Sequence, residues 1–102
     1  MKIHLKDDNV RIDGISLEIL AAIHTAGRIW KAHGMTSLVI TSAVDGPHST
    51  TSLHHEGHAV DLRSRTLPDD IGMAANLAAD LGDDYDVVLE PTHIHVEYDP
   101  RR

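Results

Sequence analysis

Two helix-periodic apolar stripes, each bracketed by short extended segments, constrain the fold of this chain more than any other feature. The first stripe runs through Leu17, Leu20, Ile23, Gly27 and Trp30, with Ala21 beside it. Its steps of three and four predict a helix over residues 17–33 with one buried face. Ser16 is placed to cap its start and Gly34 to end it. The second stripe is Ile71, Ala74, Ala75, Leu77, Ala78 and Leu81. It follows Leu67-Pro68-Asp69-Asp70, which reads as a helix start with Pro in the first turn and two acids at the positive end of the dipole. Gly82 ends it.

The remaining segments read as strands and loops. Residues 2–6 alternate polar and apolar, Asp7, Asp8 and Asn9 form a turn, and Val10 and Ile12 suit a second short extended piece. Residues 37–42 are β-branched and read as a buried strand, and 43–53, with Gly46 and Pro47, read as a loop. Residues 58–62 alternate again. Residues 85–90 and 93–98 form two strands joined by Pro91-Thr92, a hairpin by length. The order β-α-β-loop-β-α-β-β predicts an α+β class: a small, mostly antiparallel sheet with two main helices packed on one face.

The chain's 102 residues suit one domain over 1–102. With aromatics at 3% and no Phe, aliphatic residues, Ala and Met must fill the core. A formal charge of −7 argues against binding a phosphate backbone, so no nucleic-acid partner is expected. The absence of Cys removes thiolate nucleophiles, iron–sulfur clusters and Cys-ligated zinc. No apolar run approaches a membrane span or a signal peptide, so no membrane partner is expected.

Six of the nine histidines, His48, His54, His55, His58, His93 and His95, fall in two tight groups. On a strand, His93 and His95 face the same side, an efficient start to a zinc site. His54 and Asp61 supply further donors suited to Zn²⁺. His55-Glu56 does not open a His-Glu-x-x-His helix, because the nearest following histidine, His58, is at the wrong spacing and Gly57 weakens a helix there. Asp61 lies between Val60 and Leu62 in an apolar strand, where a carboxylate is costly unless paired or metal-bound.

Ser52-x-His54-x-x-Gly57-x-Ala59-x-Asp61 resembles the signature of the M15 family of zinc D,D-peptidases, which includes D-Ala-D-Ala carboxypeptidases, dipeptidases and phage L-alanyl-D-glutamate endolysins. Asp45-Gly46-Pro47-His48, residues 53–61 and His93-Ile94-His95 also resemble, in the same order, segments of the hedgehog amino-terminal signalling domain, which shares the fold. The resemblance spans about 17–98 and implies that His54, Asp61 and His95 hold zinc. His95-Val96-Glu97 fits the pattern of the last ligand better than His93-Ile94-His95, although Glu90 stands three residues before His93, as the base does before the ligand in the dipeptidases.

The resemblance further implies Glu90 as general base, with His48 and His93 beside the developing oxyanion. The family's oxyanion Arg is not evident. Ile40 and Ala43 stand where hedgehog domains carry calcium-binding acids, so no calcium site is expected. The implied partner is the D-amino-acid-containing stem peptide of bacterial peptidoglycan. Arg63 and Arg65 are candidates for its carboxylates, or solvated surface charge, and His55 and His58 read as loop surface. Glu90, closing the apolar Val87-Val88-Leu89 run, is expected to be partly desolvated, which raises a carboxyl pKa. Without a signal peptide, the expected setting is cytoplasmic until release, as for a phage endolysin, or virion-associated. The alternative is a non-catalytic hedgehog-like zinc domain that binds a protein or glycan.

Overall fold

Ser16 starts the first helix as its sequence predicts, its Oγ accepting the Ile19 N–H at 3.2 Å. The computed structural model of the chain describes residues 1–44 and 57–100. Its elements are β1 (Lys2–Leu5), α1 (Leu17–Ala32), β2 (Ser37–Ser42), β3 (Ala59–Arg63), α2 (Asp70–Leu81), β4 (Tyr85–Leu89) and β5 (His93–Tyr98). The His33 N–H closes α1 onto Ile29 O, and Gly34 follows at φ +84°. Asp69 caps α2 by accepting the Gly72 N–H, so Pro68 precedes the cap and does not sit in the first turn. Residues 10–12 form no strand; Val10 is buried and Arg11 O accepts the Val44 N–H at 2.8 Å.

The sheet order is β1-β2-β3-β5-β4. β1 runs parallel to β2, and the other three pairings are antiparallel. The sheet is therefore mixed. A parallel neighbour needs a crossover connection, and α1 supplies it between β1 and β2. Both helices contribute to one core. Ile19, Ile23, Ile29 and Trp30 of α1 and Met73 and Leu77 of α2 join Leu38, Ile40, Val60, Leu62, Ile94 and Val96 of the sheet. No described helix is long and apolar enough to cross a membrane.

The two buried helix faces differ from the expected stripes. In α1 the buried set is Ile19, Ala22, Ile23, Ala26, Gly27, Ile29 and Trp30, while Leu17 is 79% exposed. Both candidate faces share Ile23, Gly27 and Trp30, so periodicity alone does not choose between them. The face that packs carries Ala22 and Ala26, whose small side chains permit close approach to the other core elements. In α2, Met73, Ala74 and Leu77 are buried and Ile71 is 72% exposed. That helix has few large residues, and Met73 with Leu77 at i, i+4 outweighs the alanines.

Gly57 fixes how the chain enters β3. Its φ is +77°, and a Cβ there would run into Gly14 O. Its own carbonyl accepts the Ser16 N–H at 2.9 Å, tying the approach to β3 to the start of α1. Two positions on, Ala59 is fully buried. Gly57 and Ala59 of the sequence signature thus have backbone and packing reasons of their own, and both serve to place Asp61.

Candidate metal centre

Strand register builds the site. In the β3–β5 pairing Asp61 lies opposite His95, and Arg63 lies opposite His93. Side chains alternate along a strand, so Val60, Leu62, Ile94 and Val96 enter the core while Asp61, Arg63, His93, His95 and Glu97 share the other face. Asp61 Oδ1 lies 2.8 Å from His95 Nδ1, and its Oδ2 lies 3.9 Å from His93 Nε2. His95 Nε2 lies 2.8 Å from Glu97 Oε1. Thr92 Oγ1 lies 3.1 Å from His93 Nδ1.

Asp61 is only 8% exposed although it lies on the sheet face opposite Val60 and Leu62. On its other side the β2–β3 register slips. Ile40 faces Leu62 while Ser42 faces Asp61, so Thr41 is an extra residue in β2. Such bulges re-aim side chains and recur beside functional sites. Here the Thr41 hydroxyl donates to Asp61 O at 3.3 Å.

A carboxylate only accepts hydrogen bonds, so both ring nitrogens of His95 must donate for the two contacts to hold together. The imidazolium is therefore the form that fits. The Asp61 hydrogen bond is the main influence that raises the His95 pKa above its usual value; burial opposes it, and Glu97 adds to the rise. This has a consequence for the metal-free chain. A raised histidine pKa contributes stability that is fully present below the unfolded value of about 6.5 and is lost as pH climbs through the higher folded value. The thermal midpoint of the metal-free chain should fall as pH rises through that window. In His95→Gln this part of the pH dependence should disappear, which a series of melting curves across pH would check.

Two of the three expected donors, Asp61 Oδ1 and His95 Nδ1, are an oxygen and a nitrogen of the kinds zinc takes. Ligands about 2.0–2.1 Å from a tetrahedral zinc stand roughly 3.3 Å apart. The 2.8 Å between Asp61 Oδ1 and His95 Nδ1 is a hydrogen-bonded version of that spacing, with a proton held between the two atoms. Metal binding requires that proton to leave. Glu97 on the second ring nitrogen would supply the carboxylate that orients a metal-bound histidine. Glu97→Gln should therefore weaken zinc binding by about 10- to 100-fold without unfolding the chain, measured by competition with a zinc chelator.

The expected residues fall into three sets. Asp61, His93 and His95 are brought together. His48 and His54 lie outside the described residues, as do His55 and Glu56. Glu90 stands just past the end of β4 with its N–H bonded to His93 O at 2.8 Å, so its backbone adjoins the site. It is exposed, and its carboxylate forms no hydrogen bond or ion pair with the described residues. The desolvation expected of it is absent, because the buried alternation ends before it and Pro91 and Thr92 are also exposed. His58 is not loop surface. Its ring packs near Tyr98 with centroids 6.2 Å apart, and its Nδ1 is buried with no hydrogen-bond partner among the described residues.

Glu97 entered the sequence reading only as the acid two places after His95, with no contact of its own assigned, and Thr41 entered it only as one residue of the 37–42 strand. Glu97 was detectable, since it continues the two-residue step of His93 and His95. Thr41 was not, because the bulge is a property of pairing. Among the described residues, Asp86, Glu97 and Asp99 are the group of three donors whose ligand atoms lie within 4.8 Å of one another; Asp61, His93 and His95 do not form such a group. The three acids are hard oxygen donors without a histidine, less suited to zinc than the Asp61–His95 pair. No family model matches the chain, and no curated protein matches it.

Proposed function

We propose that the chain is a zinc-dependent peptidase of the hedgehog and D,D-peptidase fold, acting on D-amino-acid-containing stem peptides of bacterial peptidoglycan. The observation that carries the reading is the buried Asp61 carboxylate paired directly with His95 across two strands. Asp61 and His95, completed by His54, would hold the metal. Zinc bound there would polarise a peptide carbonyl and lower the pKa of a water to about 7.

The chain's own groups do the rest. Glu90 takes the proton of the attacking water and returns it to the leaving amine. His93, its Nε2 3.9 Å from Asp61 Oδ2, would donate an N–H to the developing negative charge. His48 has the same role in the proposal. Glu97 holds His95 in orientation through the 2.8 Å contact. The exposure of Glu90 supports a second reading, a hedgehog-like zinc domain that binds a protein or glycan without catalysis. Incubating the zinc-loaded chain with purified muropeptides, with mass detection of products, separates the two. Release of D-Ala or a stem-peptide fragment is expected. Intact muropeptides at stoichiometric zinc would leave the non-catalytic reading.

A further inference from the structure

Among the described residues the sheet ends on two strands with one neighbour each, β1 and β4. At the first edge Lys2 N–H donates to Thr36 O at 3.0 Å and Lys6 N–H to Ile40 O at 2.9 Å. Alternation then turns the backbone N–H and C=O of Ile3 and Leu5 away from β2. At the other edge Glu90 N–H donates to His93 O and Asp99 N–H to Asp84 O, both at 2.8 Å. The same alternation turns the backbone groups of Val87 and Leu89 away from β5. We propose that the β1 edge of one molecule takes the β4 edge of a second copy, joining their sheets head to tail.

Direction and register follow from the backbone. β1 is parallel to β2, and three antiparallel pairings separate β2 from β4, so β4 runs opposite to β1. A second copy with its helices on the same face therefore meets β1 antiparallel. One antiparallel register faces both outward residues of β1 with both of β4: Ile3 opposite Leu89 and Leu5 opposite Val87. All four lie on the helix face, since their own partners are Leu38, Ile40, Ile94 and Val96. Ile3 and Leu5 are left 43% and 40% exposed within one chain. The neighbour's α2, which packs on its own β4, would extend over them.

Charge agrees with a register that backbone geometry alone selects. It sets Lys2 opposite Glu90 and Lys6 opposite Asp86, with His4 opposite Val88. Lys6 is 3.8 Å from Asp7, a loose surface pairing that a strand partner can displace. Residues 66–100 hold nine of the sixteen acids and no Lys or Arg. Arg28 and Lys31 line a cavity of about 230 Å³ with Met1 and Ile3 beside β1. Lysines on an edge repel a like edge, and so do acids, so β1–β1 and β4–β4 contacts are both disfavoured. A contact between two different patches leaves a free edge at each end, so it continues beyond a dimer. Edges this short make it weak and concentration-dependent.

Sedimentation equilibrium of the full chain over a concentration series tests this. The weight-average mass should rise above 11.2 kDa without levelling at a dimer. K2E and E90K should each weaken association by about three- to tenfold, because each puts like charges opposite one another. An equal mixture of K2E and E90K should recover the unmodified behaviour, since every contact between unlike chains restores an opposite pair. L5P removes an outward N–H and no bond within the sheet, so it should fold and stay monomeric. Should L5P fail to fold, the charge exchange decides alone. A mass of 11.2 kDa at every concentration would overturn the proposal. So would association that stops at a dimer, or a K2E and E90K mixture no better than either variant. A chain that stays monomeric yet binds a synthetic peptide of residues 84–90 would assign β1 to an acidic strand of another protein, and would equally overturn self-pairing.

Discussion

Zinc-loaded Glu90→Gln should fold, keep its metal and lose hydrolysis by about 10²- to 10⁴-fold, the usual contribution of a positioned acid–base group. Glu90 is exposed and forms no contact that folding depends on, so the substitution should alter stability by no more than about 0.5 kcal/mol. Its value lies in position. The 2.8 Å bond from its N–H to His93 O places it beside the strand that carries both histidines. Alternation from Val88, opposite His95, puts residue 90 on the site's side of the sheet. It would not be needed as a ligand, since the three proposed protein donors would leave a tetrahedral zinc with one open position. Wild-type cleavage by zinc-loaded Glu90→Gln would make Glu90 a hairpin-end charge and nothing more.

His95→Ala should lose stoichiometric zinc, whereas His93→Ala should keep zinc and lose turnover. The two histidines share a face but not a relationship to Asp61. His95 lies directly opposite it at 2.8 Å with Glu97 behind, while His93 lies opposite Arg63 and reaches Asp61 only at 3.9 Å. Removing a ligand should cost more affinity than the 10- to 100-fold expected for the outer carboxylate Glu97. Elemental analysis of the two purified variants reads the difference. Zinc retained in His95→Ala and lost in His93→Ala would move the metal one pair along the hairpin, to the spacing in which Glu90 precedes its histidine by three.

The order of elements was legible because each is announced locally. Ser16 and Gly34 bracket α1, Gly82 ends α2, and Pro91-Thr92 separates two β-rich runs. The buried helix faces were not, because α1 offers two apolar stripes and only the partner surface selects Ile19, Ala22 and Ala26 over Leu17 and Leu20. The parallel β1–β2 pairing was also out of reach, since strand direction follows from the crossover and not from composition. In the site, the shared face of His93 and His95 follows from their spacing. Their meeting with Asp61 is a matter of long-range register, foreshadowed by a carboxylate among apolar neighbours. The exposure of Glu90 escaped because the apolar run before it ends one residue earlier than the strand pattern implies.

Asp61 and His95 are proposed to hold zinc. Anomalous scattering at the zinc edge from crystals grown with one equivalent of Zn²⁺ tests it most directly. One strong peak is expected between the Asp61 carboxylate and His95 Nδ1, with His54 as the third protein donor. A peak among Asp86, Glu97 and Asp99 instead, or none at the Asp61–His95 pair, would contradict it.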